Sequence, residues 1–514
     1  MNKKKLVVLG VTGLLMFFAG ISCAGFNMGI VSSVKKKVEK LKKKADTGGS
    51  TAPVTPPSSN TAPVLTWTGE ADYSTDGVNP ETADTSASYV YRVKYADADG
   101  DAPALGYPKV HILKGGSEIS GSPFAMNHVS GAYNTGAVYT YTAIISTAGT
   151  DYTYYFEAQD DNGAVATGAP TTAKDSPDVI ALPIISNILP DTGQTKCYNN
   201  SGSEIVCPGA NGALAQDGSY QPAGAQPGYT DIGDMVVDNR TGLIWAKDGN
   251  GAGCNYGNSA SWPSAVDYCW NLTFGGHDDW RLPDKNELES IVNNGGNSPV
   301  LNTAYFPNAK SADYWTSTTD EGQADSAWLV DFKYDGSMGF SAKSDNTKYI
   351  RCVRSQSTVL PNTGQTQSYR TGDDYENQTP ARLRSYTSHV DGTVTDNRTG
   401  LMWAADGNGE GCNSGSTVPF WEDALSFCEN STFASYTDWR LPNKRELNTL
   451  VDSGKTDTAI NISYFPNTKY HYWTSTTYYH PSKDYAPVVH FYYGYVSGDF
   501  KFSSYHVRCV RGGL

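Results

Sequence analysis

The sequence of 514 residues has few cysteines, fewer positive than negative charges and no apolar run long enough to suggest a membrane span. Its N-terminal apolar run, residues 6–19, is shorter than the about 20 residues that a membrane-spanning helix needs. Nine cysteines are too few for a disulfide-dense miniprotein. The net charge of −14 argues against nucleic acid and sulfated polyanions as partners, because like charges repel at long range.

The first 22 residues are typical of a signal peptide. Lys3–Lys5 precede the apolar run, and Gly-Ile-Ser at residues 20–22 precedes Cys23. This resembles the cleavage motif of bacterial lipoproteins, with glycine in place of the usual leucine three positions before the cysteine. We predict that Cys23 is lipidated and anchors the protein to the outer membrane, since Ala24 rather than aspartate follows it. The alternative is ordinary signal cleavage nearby, which leaves Cys23 free.

Residues 23–63 are predicted to tether the protein and to space it from the membrane. Basic runs at residues 35–37 and 42–44 flank apolar residues that alternate at spacings of three and four: Val31, Val34, Val38, Leu41 and Ala45. We interpret this pattern as a basic helix lying on anionic lipid headgroups. The alternative is a seam for homo-oligomerisation, although two heptads are fewer than a coiled coil needs. Residues 46–63 are rich in Gly, Ser, Thr and Pro and predict a flexible stalk.

Residues 64–182 show apolar and polar residues in alternation, with turn residues between the runs. Examples are Tyr89–Tyr95, Tyr139–Tyr141 and Tyr152–Ala158. A period of two predicts an all-β antiparallel sandwich. The pattern resembles the immunoglobulin-like or fibronectin-like modules of bacterial surface proteins, which implies a spacer.

One acidic turn in this segment is a candidate metal site. Asp97, Asp99 and Asp101 place three carboxylates within five residues around a glycine. Calcium takes hard oxygen ligands of this kind. A helix-flanked calcium loop would place glutamate where Pro108 stands, and aspartate is also common in turns for purely local reasons. We therefore interpret the loop first as a plain turn, with calcium as the candidate cofactor if a metal binds there.

The rest of the chain consists of two copies of one domain, residues 186–356 (copy 1) and 358–514 (copy 2). Each copy begins with Leu-Pro-x-Thr-Gly-Gln-Thr, at Leu189–Thr195 and Leu360–Thr366, which we interpret as a strand-edge turn. Five further motifs recur in the same order. The two members of each pair lie much farther apart than the roughly 20–50 residues of a solenoid repeat. They are Asp238–Trp245 and Asp396–Trp403, Asp279–Leu288 and Asp438–Leu447, Tyr305–Asn308 and Tyr464–Asn467, Tyr314–Thr319 and Tyr472–Thr477, and Arg351–Arg354 and Arg508–Arg511.

Each copy is predicted to pack two helices on a small, mostly antiparallel sheet. Apolar residues at helical spacing end at Cys269 and at Cys428. A second helix is expected over residues 285–292 and 444–451, since a proline stands close to each start.

Eight cysteines remain after Cys23, and an exported chain would oxidise them. Cys197 and Cys207 have no counterparts in copy 2, which indicates that they bond to each other. In each copy we predict a bridge from the helical cysteine to the one in the last strand, Cys269 to Cys352 and Cys428 to Cys509. Cys254 and Cys412 then either bridge the two copies or stay reduced, and sequence alone does not decide connectivity.

The repeated motifs resemble those of the Lcl C-terminal domain family, named for the end of a collagen-like bacterial adhesin. The resemblance rests on Trp-Arg-Leu-Pro, Tyr-Trp-Thr-Ser-Thr and Arg-Cys-Val-Arg, each present twice. It implies a C-type-lectin-like, formylglycine-generating-enzyme-like α+β fold in both copies and an adhesive or ligand-binding role. The chain has no collagen-like tract, so the trimerisation of that adhesin is not carried over.

Catalysis is not expected. The eight histidines do not occupy equivalent positions in the two copies, whereas a duplicated active site should have left duplicated acids and bases. The shared tryptophans and arginines are expected to build the core, and Arg281 with Glu287 and Arg440 with Glu446 to form buried ion pairs.

We instead expect ligands to contact loops in which the copies differ, since loops on a rigid scaffold usually hold function. Tyrosine offers a flat apolar face and a hydroxyl, which suits sugars and protein surfaces. The candidate binding residues are Trp328, Tyr478, Tyr479, His480, Tyr485, Tyr492 and Tyr493. The predicted function is non-catalytic binding of a glycan or protein at the cell surface. The alternative is a self-assembling component of the envelope or matrix.

Overall fold

The computed structural model describes residues 60–183, 188–221, 225–455, 457–478 and 482–512. The described chain is mostly β, with several antiparallel sheets and few, short helices. None of the described helices is long and apolar enough to cross a membrane. The signal peptide, Cys23, the basic helix and nearly all of the stalk lie outside the described residues.

Residues 64–180 form two antiparallel sheets over a shared core. One sheet has the order β1-β4-β9-β8 with β2 beside β4, and the other has the order β11-β10-β5-β6 with β7 beside β5, while β12 pairs with β3 in parallel. The strands are β1 (Val64–Thr66), β2 (Val78–Asn79), β3 (Thr82–Asp84), β4 (Ser88–Ala96), β5 (Lys109–Lys114), β6 (Ser117–Glu118), β7 (Phe124–Ala125), β8 (Asn127–Ser130), β9 (Ala137–Ile144), β10 (Tyr152–Glu157), β11 (Lys174–Asp175) and β12 (Asp178–Ile180).

The predicted alternation explains how these sheets pack. Alternate residues of β4 and β10 are buried, as expected from the period of a strand. Tyr91 of β4 meets Tyr154 of β10 edge to face, with ring centroids 5.2 Å apart. The Tyr154 hydroxyl accepts a hydrogen bond from the Gly77 amide at 2.7 Å, so the polar tip of this buried ring is satisfied.

The two copies have the same order of elements after their opening segments, where copy 1 has two short strands and copy 2 has a short helix. Copy 1 contains β13 (Cys197–Tyr198), β14 (Glu204–Ile205), β15 (Tyr229–Ile232), β16 (Met235–Asp238), β17 (Ile244–Ala246), α1 (Trp262–Trp270), α2 (Lys285–Ser290), β18 (Asp313–Thr319), β19 (Ser326–Asp331), β20 (Met338–Ala342) and β21 (Val353–Arg354). Copy 2 contains α3 (Asp374–Asn377), β22 (Tyr386–Ser388), β23 (Thr393–Asp396), β24 (Met402–Ala404), α4 (Trp421–Glu429), α5 (Lys444–Asn448), β25 (His471–Trp473), β26 (Tyr485–His490), β27 (Tyr495–Phe500) and β28 (Val510–Arg511).

A single sheet runs through both copies. Its order is β18-β19-β20-β27-β26-β25, and the copies join where Met338 pairs with Val496. Each copy also has its own four-stranded sheet, β15-β16-β17-β21 or β22-β23-β24-β28, which brings the last strand beside the Trp245 or Trp403 strand.

The second helices are shorter than the sequence pattern predicts. They begin as expected, with a capping box in which Asp284 accepts from the Glu287 amide at 2.9 Å and Asn443 accepts from the Glu446 amide at 2.8 Å. They end at Ser290 and Asn448. The apolar residues that extend the pattern are buried in the core, but they lie beyond the helix ends.

All three predicted disulfides are present. They join Cys197 to Cys207, Cys269 to Cys352 and Cys428 to Cys509. Cys254 and Cys412 are free and buried. Of the two alternatives, they therefore stay reduced and do not bridge the copies. Burial raises the pKa of both thiols, which makes them poor nucleophiles.

Candidate functional site

The residues shared by the two copies lie in the interior. Trp280, Trp315, Trp439 and Trp473 are fully buried. The predicted ion pairs are buried and bidentate. Arg281 donates to both Glu287 oxygens at 2.5 and 2.8 Å, and Arg440 donates to both Glu446 oxygens at 2.6 Å.

The segments that open the two copies are exchanged between them. Arm 1 (residues 189–220) packs on copy 2, and arm 2 (residues 360–382) packs on copy 1. The amide of Thr477 donates to Gln194 of arm 1 at 2.7 Å, and the amide of Thr319 donates to Gln365 of arm 2 at 2.7 Å. The Leu-Pro-x-Thr-Gly-Gln segment of each arm therefore binds the opposite copy, which is a role beyond the strand-edge turn expected from the sequence.

Each arm also supplies a buried carboxyl to the other copy. Asp217 of arm 1 accepts from the Thr476 hydroxyl at 2.7 Å, and Asp374 of arm 2 accepts from the Thr318 hydroxyl at 2.7 Å. Burial raises the pKa of Asp217 to about 8 and the pKa of Asp374 to about 7.

Buried cations complete the contact between the copies. Arg445 donates to Glu289 at 2.9 Å and to backbone carbonyls of copy 1. Lys285 donates to the carbonyl of Gly494 at 2.9 Å, and Lys444 donates to that of Gly336 at 3.0 Å. Burial lowers the pKa of Lys285 to about 7. The duplicated lysines, together with Arg445 of copy 2 alone, thus hold the copies together.

Two of the predicted ligand residues are corrected by their burial. Tyr478 is 1 % exposed, and its ring packs on Gly498 so closely that a Cβ there would lie 2.4 Å from it. Trp328 is equally buried, with the Lys285 ammonium 4.3 Å from its ring centroid. Both rings are inaccessible to a ligand because they form part of the shared interior. Tyr479 and His480 lie outside the described residues.

Tyr492 and Tyr493 belong to a cluster of four tyrosines in copy 2, of which two are exposed and two are half-buried. The tyrosine cluster is Tyr470, Tyr492, Tyr493 and Tyr495, at the β26–β27 turn and just before β25. Ring centroids are 4.9 Å apart for Tyr470 and Tyr492 and 4.4 Å apart for Tyr492 and Tyr493. Tyr470 is 56 % and Tyr493 63 % exposed. The sequence signal for Tyr470 and Tyr495 is the same tyrosine enrichment, but only the sheet brings Tyr470 beside the turn.

The turn rests on two neutral histidines. His490 stacks on Tyr495 with centroids 3.9 Å apart, and the ring of His471 lies 4.1 Å from that of His490. Burial lowers the pKa of His490 to about 3 and lowers that of His471. The base of the tyrosine cluster is therefore uncharged at neutral pH.

Copy 1 has a different surface at the corresponding β19–β20 turn. Tyr334 is 38 % exposed there, with the Lys333 ammonium 4.5 Å from its ring centroid. Tyr485, the remaining candidate, lies apart from the tyrosine cluster and packs half-buried against Phe500 at 4.1 Å.

The structure also brings the three carboxylates of the acidic loop together. Each of Asp97, Asp99 and Asp101 offers one oxygen, and these atoms lie within 4.8 Å of one another. Asp97 is 1 % exposed, and its Oδ1 accepts from the amides of Asp99 at 2.9 Å and Asp101 at 3.2 Å. Its Oδ2 is buried without a hydrogen-bond partner in the described part of the chain. The loop could hold a hard cation.

Comparison with known proteins identifies the repeated domain. The family model described as the Lcl C-terminal domain matches residues 234–354 and 392–511. No curated protein matches the chain. The matched segments include the tyrosine cluster and exclude both arms.

Proposed function

Because the chain carries two copies of the Lcl C-terminal domain, we propose that it is a non-catalytic, adhesin-like protein of the bacterial cell surface. In this proposal a lipid on Cys23 anchors it in the outer membrane, and an immunoglobulin-like sandwich acts as a spacer. Two C-type-lectin-like domains at the far end bind a glycan or protein ligand.

The observation that carries the binding role is the tyrosine cluster. Contiguous exposed aromatic surface on a soluble domain is typical of an interaction site. The rings already pack on one another, so little side-chain freedom is lost when a ligand binds. Their hydroxyls add hydrogen-bonding capacity around the apolar faces, which suits stacking against sugar rings.

A glycan array tests this proposal. We expect the exported chain to bind a subset of glycans, and Tyr470→Ala with Tyr493→Ala to weaken that binding at least about tenfold, as loss of central aromatic contacts does. Tyr334→Ala on the copy 1 turn is the matched control and should bind like the wild type. Equal binding by all three proteins would rule out the cluster as the site, and binding only to immobilised proteins would make the ligand a protein.

A second apolar surface favours the alternative of self-assembly. Phe420 and Phe502 of copy 2 are exposed and pack edge to face at 5.8 Å, and exposed Phe500 lies against Tyr485. These rings lack hydroxyls and suit contact with another protein surface. Sedimentation velocity of the ligand-free chain tests this: concentration-dependent assembly that Phe420→Ser with Phe502→Ser abolishes would support it, and a monomer at all concentrations would exclude it.

A further inference from the structure

The two copies differ at one buried position in a way that points to a binding site. In copy 1, the fully buried Arg382 of arm 2 donates to Asp284 at 2.6 Å and to Glu287 at 2.8 Å. It also donates to the carbonyls of Leu360 at 3.1 Å and Pro361 at 3.3 Å. Gln356 Oε1 also accepts from it at 3.4 Å, so five acceptors surround one guanidinium group.

Copy 2 has alanine at this position. Ala225, just after arm 1, corresponds to Arg382 at the end of arm 2, because each accepts the same backbone hydrogen bond from its arm. The Asp191 amide donates to the Ala225 carbonyl at 2.7 Å, and the Asn362 amide donates to the Arg382 carbonyl at 2.8 Å. The methyl group of Ala225 cannot reach the acceptors that Arg382 contacts in copy 1.

A cavity lies in the space where the guanidinium would be. Its volume of about 30 Å³ holds roughly two water molecules, which is the scale of a charged head group and not of a whole metabolite. Its wall includes the counterparts of four of these five Arg382 partners: Leu189, Pro190, Asn443 and Glu446. Ile188, which also lines it, is 39 % exposed.

The cavity has as many carboxyls as its counterpart but one guanidinium fewer. Asp284 is replaced by Asn443, but Asn362 is replaced by Asp191, so Asp191, Asp217 and Glu446 face the cavity. Arg440 is the one arginine among its described lining residues, and it is bound to Glu446.

Nearby charges do not supply the missing cation. Arg445 reaches the backbone carbonyl of Asp191 at 2.5 Å, but its charge is paired with Glu289. Burial raises the pKa of Asp191 to about 6 and that of Asp217 to about 8, and the charge of Arg445 only partly offsets the effect on Asp191.

We propose that this cavity of copy 2 is a binding site for a guanidinium group supplied from outside the chain. A planar guanidinium matches paired carboxylate and carbonyl acceptors better than an ammonium does, because it donates several hydrogen bonds in fixed directions. The group belongs either to a small guanidinium compound or to an arginine side chain of a bound protein.

Calorimetry and thermal unfolding of the full exported chain with methylguanidinium test the site. We expect saturable 1:1 binding and a rise in melting temperature that methylammonium or sodium chloride at equal ionic strength does not reproduce. A blocked tripeptide with central arginine separates the two sources: if it binds at least as tightly as methylguanidinium, the group comes from a protein, and if it does not bind, the natural ligand is small.

Two variants with precedents in copy 1 make the test decisive. Ala225→Arg should fill the cavity with the chain's own guanidinium and abolish methylguanidinium binding. Asp191→Asn introduces the copy 1 residue, which that fold tolerates, and should weaken binding at least about fivefold. The proposal is overturned if the wild type gives no saturable response, or if both variants respond like the wild type.

Discussion

Asp217 and Asp374 are two residues whose ionisation makes the stability of this fold depend on pH. Each is a buried carboxyl at the contact between an arm and the opposite copy, and each accepts hydrogen bonds from two threonine hydroxyls. Burial favours their neutral forms, with pKa values raised to about 8 and about 7. Protonated carboxyl groups thus hold each arm on the opposite copy. Their ionisation as the pH rises would lower the stability of this contact.

We therefore expect the free energy of unfolding to fall as the pH rises from about 4 to about 8. In that interval the folded protein keeps protons that the unfolded chain, with aspartate pKa values near 3.9, has released. Asp374→Asn should remove its share of this dependence, on the order of a few kcal/mol. Urea unfolding at several pH values measures it. Exposed Asp175→Asn is the control, and an unchanged slope in Asp374→Asn would refute the assignment.

Among the elements, the acidic loop after β4 is the one in which three carboxylates could hold a metal ion among the described residues. Three carboxylates converge there, and one buried oxygen of Asp97 is left without a hydrogen bond in the described part of the chain. The amide of Thr61 donates to Asp99 at 2.7 Å, so the loop also fixes the chain just before β1. A cation would stabilise both the loop and this attachment.

We expect calcium to stabilise the sandwich through this loop. A ligand that binds only the folded state adds about 2.7 kcal/mol to the free energy of unfolding when its free concentration is about 100 times its dissociation constant. Asp99→Asn with Asp101→Asn should abolish the effect in calorimetry and thermal unfolding, whereas exposed Asp161→Asn should keep it. If calcium does not change the melting temperature of the wild type, the loop is a plain turn and not a calcium site.

At the scale of the whole molecule, the two copies form one body. They share the six-stranded sheet and exchange their arms, and Arg445 bonds four carbonyls and one carboxylate across the boundary. Duplication has therefore produced a pair of interdependent domains.

Arg445→Ala should lower the free energy of unfolding by about 3–5 kcal/mol, because it removes the closer cation from buried Glu289 and leaves only Lys444 at 3.5 Å. Arg511→Ala breaks a pair with Asp438 that is partly exposed, and should cost about 0–1 kcal/mol. Urea denaturation of both variants makes the comparison. Similar losses in the two would mean that the contact between the copies contributes little.

The sequence predicted the duplication, the starts of the helices and all three disulfides, because these depend on local periodicity and on comparing the copies with each other. It predicted the buried Arg281–Glu287 pair for the same reason. It was wrong about Tyr478 and Trp328, since tyrosine and tryptophan suit both a wet surface and an interior. Their burial depends on which segments cover them.

What the sequence determined by itself is the repeated domain and its internal core, whose tryptophans, cysteines and capping residues recur at matched positions. Only the tertiary structure decided that the arms pack on opposite copies, that four tyrosines form one cluster and that copy 2 has a cavity in place of Arg382. These features rest on contacts between residues far apart in sequence, such as Thr477 with Gln194. Such pairings have no local period, so they become visible only when the packed surfaces that select them are in place.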